Sequence, residues 1–132
     1  MVFRDDPSKI VEDPLTTSEE FQRSVSRLKE ALEQPKTEFI RDSVIQRFEF
    51  SVELAWKTSK KIMGTATSAP KDVIREMAQS NYIQDVDRWL KAIDMRNLSS
   101  HTYKEDLAEQ VFSFVQEFFP ELQKLAEGLK NK

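Results

Sequence analysis

The sequence predicts an all-α protein, an antiparallel up-and-down four-helix bundle with one additional short helix. Glycine supplies only 2 of 132 residues, which leaves little material for hairpin turns, and 33% of the residues are charged, which suits the solvated faces of long helices. Apolar residues also recur at steps of three and four over long segments. The length predicts one domain over residues 17–132, preceded by an N-terminal tail or arm over residues 1–16.

The first helix is expected from Thr17 to about Glu33. Thr17 and Glu20 fit a capping box, in which the two side chains satisfy free amides at a helix start. Pro35 ends the helix. An apolar stripe at helical spacing supports the prediction: Phe21, Val25, Leu28 and Leu32.

The segment from Thr37 to Met63 is predicted as one long helix, although "FEFSVELAW" alternates as a half-buried strand would. Its length and the absence of a helix breaker favour a helix over a strand, and Gly64 follows as a C-terminal cap. Phe50, Leu54 and Trp56 make its middle apolar nearly all round. That pattern fits either a central helix of a monomeric bundle or a helix that also forms a dimer interface.

Three further helices are expected. A short helix starts at Pro70, and a fourth helix starts near Asp85. Thr102 and Glu105 fit a second capping box, so a fifth helix should start just after His101. We expect Pro120 to kink this last helix.

The composition excludes several classes of function. With no cysteine, the chain has no disulfide or thiolate metal site, and a cytoplasmic location is expected. No secretory signal or membrane-spanning segment is predicted. The net charge of −3 does not suggest a general nucleic-acid coat protein. One histidine and two distant glycines, Gly64 and Gly128, argue against a metal site and a phosphate-binding glycine loop, so no cofactor is expected.

The window "RNLSSHTY", residues 96–103, brings together Arg96, Asn97, Tyr103 and the only histidine, His101. Taken singly, each is typical of a cap or surface residue, and a purely structural role is one interpretation. Arg96 and Asn97 lie on adjacent rows of the predicted fourth helix, and His101 falls where that helix meets the fifth. The three polar groups can therefore converge on one spot.

Such a spot suits phosphate chemistry. Arginine presents a fork of donors that matches phosphate oxygens, and histidine exchanges a proton near neutral pH. Cleaving RNA without a metal requires a base for the 2′-hydroxyl, an acid for the leaving oxygen and donors for the developing charge. One histidine per chain is a poor supply of both an acid and a base. A twofold dimer would solve this by bringing two copies of the window across one cleft.

Longer stretches carry a resemblance to a known family. The window is similar to the Arg, Asn, His and Tyr motif of the HEPN superfamily. "RDSVIQRFEFSVELAWKTSKK", "APKDVIREM" and "WLKAIDMRNLSSHTYKED" resemble its HepT-like branch, also called the nucleotidyltransferase substrate-binding protein family. The resemblance covers roughly residues 18–128.

This resemblance implies a helical bundle that forms a homodimer and is encoded beside a small MNT-type nucleotidyltransferase. In one interpretation the protein is a toxin, a metal-independent endoribonuclease acting on RNA. The family motif would then assign proton transfer to His101, phosphate stabilisation to Arg96 and orientation to Asn97. The transferase would inhibit it by attaching AMP to Tyr103.

Two alternatives stay open. The family's other interpretation is a noncatalytic subunit that binds the transferase's substrate, and a plain scaffold bundle is the third. Candidate cations for RNA or substrate binding lie on the second and third helices, although exposed charges are usually just solvated. They are Lys57, Lys60, Lys61 and Arg75, with Arg41, Arg47 and Lys71 as further possibilities.

Overall fold

The computed structural model describes residues 14–132, and their side chains from Thr17 onward. This part of the chain forms five α-helices and a short 3₁₀ helix at Ser99–His101. The α-helices are α1 (Pro14–Leu32), α2 (Glu38–Met63), α3 (Pro70–Gln79), α4 (Val86–Leu98) and α5 (Glu105–Leu129). Most of the tail predicted over residues 1–16 lies outside the described residues.

Contacts between helices define an up-and-down bundle. Thr58 of α2 donates to the carbonyl of Thr17 at 3.2 Å, so the end of α2 lies beside the start of α1. The Gln22 amide in the middle of α1 donates to the carbonyl of Ala126 near the end of α5 at 2.6 Å. Lys36, just after α1, donates to Glu109 near the start of α5 at 2.5 Å. Arg88 near the start of α4 donates to the carbonyl of Glu117 in α5 at 2.8 Å. α1, α2, α4 and α5 therefore alternate in direction, which confirms the predicted fold class, and α3 is the additional short helix.

The ends of α2 follow the sequence signals. The Thr37 side chain accepts from the amide of Ile40 at 3.1 Å and caps the start of the helix. Gly64 adopts φ of +71°, a left-handed conformation in which an L side chain is strained, and its amide donates to the carbonyl of Lys60. The segment that alternates like a strand is the middle of one helix, as predicted.

Both predicted capping boxes are wrong. α1 begins at Pro14, so Thr17 is inside the helix and buried. α5 begins at Glu105 after Lys104, and the Thr102 hydroxyl instead donates to the carbonyl of Ser99 at 3.0 Å. The last helix therefore starts after a turn that follows His101, and its free amides are not next to that residue. α5 continues through Pro120 as one helix.

The core lies between α1, α2, α4 and α5, with buried residues of α3 packed against it, and is rich in aromatic rings. Phe118 packs edge-on against Phe48 and Trp89, with ring centroids 6.4 Å and 4.8 Å apart. Trp56 is buried in the chain's own core, whereas Leu54 is half-buried and Phe50 is 57% exposed. Of the three residues that made the middle of α2 apolar nearly all round, only Phe50 and Leu54 therefore remain open to a partner.

Candidate functional site

The candidate site is the junction between α4 and α5. The 3₁₀ turn at Ser99–His101 extends α4 and is held by side-chain hydrogen bonds back to the helix. Ser99 donates to the carbonyl of Arg96 at 2.5 Å, and Ser100 donates to that of Asn97 at 3.1 Å. The Lys104 amide donates to the carbonyl of His101 at 3.1 Å and closes the turn. A run of short polar residues therefore fixes the backbone on which the candidate side chains stand.

His101 and Tyr103 form a contact pair on the surface of this junction. His101 Nδ1 lies 3.3 Å from the Tyr103 hydroxyl oxygen, and the two rings meet edge to face with centroids 5.9 Å apart. Both residues are exposed, and Tyr103 is 76% exposed. The imidazole is therefore open to a reactant, and the phenolic oxygen that would carry a modification lies beside it.

Arg96 points toward α2. Its Nε lies 3.1 Å from Glu53 Oε1, an ion pair whose side chains are 36% and 30% exposed. Arg96 Nε lacks a hydrogen bond of good geometry, so the contact is an ion pair without a directed bond. Glu53 also pairs with Lys57, one turn further along α2, at 3.5 Å. One carboxylate thus lies between two cations.

The predicted residues lie together at the junction, but they do not all contact each other directly. Within residues 17–132, no hydrogen bond or ion pair connects Arg96 to His101, and Asn97 is exposed one turn before the histidine. None of these side chains is sealed in the core. The arrangement offers an exposed imidazole, a half-exposed guanidinium and an exposed amide on one edge of the bundle.

The candidate binding cations differ in their surroundings. Lys57 pairs with Glu53, Lys60 donates to the carbonyl of Thr65 at 3.2 Å, and Lys61 is half-buried. Arg75 pairs with Asp72 on α3 at 3.1 Å, and both are exposed. Lys57 is the member of this group that is directly linked to the junction, through the carboxylate it shares with Arg96.

The suggestion that Arg41 is a cation for RNA binding is wrong. Arg41 is 4% exposed and pairs with Asp42, Glu105 and Glu109, so it is not available as a surface cation for RNA. The hydrogen bonds that Arg41 donates to Glu105 and Glu109 raise its pKa above the usual value. Hydrogen bonds from Lys36 first and Arg41 second lower the pKa of Glu109. This cluster ties the start of α2 to the first turn of α5, immediately after the junction.

Sequence reasoning missed Glu53. Its position four residues before Lys57 is typical of a solvated pair within one helix, and nothing local to either segment indicates the contact to Arg96. Among the described residues, no group of three or more His, Cys, Asp or Glu side chains could hold a metal ion. Likewise, none of the helices in residues 14–132 has the length and apolar character needed to cross a bilayer.

The sequence and the fold are similar to those of known proteins. A relative from Haemophilus influenzae named "Probable ribonuclease HepT" is 33% identical over an alignment of 96 residues, and the match covers 67% of this chain and 66% of the relative. The match therefore spans just under two thirds of that relative's length.

Two solved structures share the fold. A crystal structure from Thermus thermophilus has a TM-score of 0.75 at 28% identity and covers 83% of this chain and 98% of its own. A Haemophilus influenzae structure, described as the fold of a substrate binding domain of a nucleotidyltransferase, has a TM-score of 0.65 at 26% identity. It covers 89% of this chain and 96% of its own. A family model described as "Nucleotidyltransferase substrate binding protein like" matches residues 17–131. The chain belongs to this family, the HepT-like family that its sequence resembled.

Proposed function

We propose that this chain is the HepT-like subunit of a two-protein module with a small nucleotidyltransferase, and that it is a metal-independent endoribonuclease. The observation that carries the proposal is the exposed contact between His101 Nδ1 and the Tyr103 hydroxyl, at 3.3 Å. It puts a proton-transfer group and a modifiable hydroxyl in one place. The name of the Haemophilus influenzae ribonuclease and the substrate-binding title of the structural relative support the module.

The proposed reaction uses the RNA's own 2′-hydroxyl. One imidazole accepts the hydroxyl proton while the 2′-oxygen bonds to phosphorus, and the bond from phosphorus to the 5′-oxygen breaks. A second, protonated imidazole gives its proton to that leaving oxygen. The products are a 2′,3′-cyclic phosphate and a 5′-hydroxyl. Arg96 stabilises the charge that develops on the phosphate oxygens, and Asn97 orients the phosphate.

Two imidazoles require two chains, since each chain has one histidine. We place the twofold contact on the α4–α5 face, because the junction lies at the end of that face. A shallow groove there runs past Met95 and Phe114. An isologous dimer through this face would bring two junctions together. Light scattering at micromolar concentration checks it, and a stable monomer would contradict the shared site.

Inhibition follows from the same contact. Transfer of AMP from ATP to the Tyr103 hydroxyl forms a phosphodiester and releases pyrophosphate. Because the tyrosine oxygen lies beside the imidazole, the new phosphate would occupy the space that an RNA phosphate needs and would add negative charge there.

The test is one purified system measured before and after modification. The protein is incubated with RNA in EDTA, and then again after treatment with the nucleotidyltransferase and ATP. We expect cleavage at first, an adenylyl mass gain on Tyr103, and loss of cleavage. The Tyr103→Phe variant should cleave RNA and resist inhibition. Intact RNA with the untreated protein would contradict the ribonuclease assignment.

A noncatalytic substrate-binding subunit is the second candidate. The observation in its favour is that Arg96 pairs with Glu53, with no direct contact to His101. In that case the purified protein leaves RNA intact, and adding it raises the turnover of the nucleotidyltransferase. The His101→Ala variant should then raise turnover as well as the native chain does.

A further inference from the structure

A second concave surface lies between α1 and α2, on residues that the proposed site does not use. This α1–α2 groove has a volume of about 360 Å³, within the size range of small-molecule sites. Arg23 and Arg27 line it from α1, and Arg47 and Phe50 line it from α2.

The groove concentrates positive charge, because three arginines line it against a single carboxylate, Glu20. Arg23 and Arg27 are one helical turn apart, so their side chains share a face of α1. Arg47 donates to the carbonyl of Arg27 at 2.6 Å, which brings the third guanidinium to the same place. Within residues 17–132, none of these three arginines forms an ion pair, whereas Arg41, Arg75 and Arg96 each do. Three guanidinium groups beside one carboxylate leave a net positive charge that favours an anion, and their planar forks fit phosphate oxygens.

An aromatic ring and neutral polar groups complete the lining. Phe50 is 57% exposed, and half-buried Leu54 lies one turn further along α2. An exposed phenyl face is a stacking surface for a base. Gln46 adds an amide that can pair with a base edge, and Ser24 and Ser43 add hydroxyl oxygens to the lining.

We propose that the α1–α2 groove binds a nucleotide, with its phosphate on Arg23, Arg27 and Arg47 and its base against Phe50. The ligand is a free mononucleotide or one nucleotide of a single-stranded RNA, since both present the same phosphate, sugar and base. An acidic peptide would satisfy the arginines but would leave the ring without a stacking partner. This inference goes beyond the proposed function, because the groove shares no residue with the junction and its test reads binding alone.

The experiment is a titration of the full chain followed by backbone amide NMR. The probes are AMP, adenosine, inorganic phosphate, and a 5′-phosphorylated 2′-O-methyl hexa-adenylate that cannot be cleaved through its 2′-oxygen. We expect AMP to shift the amides around Ser24, Arg27 and Phe50, and to bind at least about tenfold tighter than adenosine or phosphate alone. If AMP binds as tightly as the oligonucleotide, the ligand is a free nucleotide. If the oligonucleotide binds much more tightly than AMP, the ligand is RNA.

Matched variants assign the contacts. Arg23→Gln and Arg27→Gln should each weaken AMP binding about tenfold. Lys124→Gln, which removes one charge from an exposed position on α5, should leave it unchanged. Phe50→Ser should weaken AMP binding more than phosphate binding. Its control is Phe39→Ser, because Phe39 is 87% exposed on the same helix and outside the groove.

Four results would overturn the proposal. The arginine variants could bind AMP as the native chain does, or the AMP shifts could fall outside the groove. A poly-glutamate peptide could bind there with AMP unable to compete, which would identify an acidic protein partner. Loss of a native dimer in Phe50→Ser, with no AMP binding by the native chain, would show that a second copy covers this face.

Discussion

Arg41 and Arg96 both lie near the junction of α4 and α5, yet their surroundings are opposite. Arg41 is 4% exposed and pairs with Asp42, Glu105 and Glu109. The Arg96 side chain is 36% exposed and pairs with Glu53 alone. A guanidinium surrounded by carboxylates has no donors left for a ligand, whereas one with a single exposed partner can exchange it for phosphate. The comparison predicts that one arginine stabilises the fold and the other serves the reaction.

The largest expected effect is on catalysis in Arg96→Ala. Removing a donor that stabilises developing phosphate charge should lower the rate of RNA cleavage by about 10²- to 10³-fold. Stability should change by less than about 1 kcal/mol, because the pair with Glu53 is partly exposed. Cleavage kinetics and urea unfolding measure the two quantities. A fully active Arg96→Ala would remove this residue from the site.

The converse is expected of Arg41→Ala. Loss of the buried guanidinium should lower the free energy of unfolding by about 1 to 3 kcal/mol, less than for a fully buried pair because the Glu105 and Glu109 side chains reach solvent. Cleavage per folded molecule should stay within a few-fold of the native rate. Urea unfolding, with activity measured well below the transition, checks both values. Unchanged stability would contradict the structural role.

Glu53→Gln sharpens the comparison from the other side. Neutralising this carboxylate releases Arg96 and Lys57 together, so phosphate should bind the junction several-fold more tightly. Amide shifts at Arg96 and His101 during titration with inorganic phosphate report this site specifically. Weaker phosphate binding at these amides would mean that Glu53 orients Arg96 for the ligand.

The smallest expected effect concerns acid stability. Lys36 and Arg41 hold the pKa of Glu109 below its ordinary value of 4.5, so the folded state binds this proton less readily than the unfolded chain. The resulting stabilisation is present above the unfolded pKa and is lost as pH falls through the folded value. The urea midpoint should therefore decline below about pH 4.5, and less steeply in Glu109→Gln. Equal slopes in the two proteins would exclude this contribution.

Sequence reasoning succeeded where the signal is local. Thr37 and Gly64 mark the ends of α2 because capping depends on residues within one turn. Thr17 failed as a cap since α1 begins at Pro14, and the Thr17 carbonyl instead accepts a bond from Thr58 of α2. Pro14 at the first helical position is itself a local signal for this start, but only the structure shows the contact between α1 and the end of α2.

The same limit applies to the candidate site. The junction and the proximity of His101 to Tyr103 follow from neighbours in the chain, so a sequence pattern can place them together. The partners of Arg41 and Arg96 come from other helices. Sequence alone therefore suggested Arg41 as an RNA-binding cation and gave no sign of Glu53.

The most direct test of the central claim is the rate at which purified protein cleaves RNA in EDTA, native chain against His101→Ala. Gln123→Ala is the control, because Gln123 is exposed on α5 about five turns after the junction. The account predicts cleavage to 2′,3′-cyclic phosphate ends by the native and control proteins, and at least about a hundredfold loss in His101→Ala. Equal cleavage by His101→Ala would contradict it.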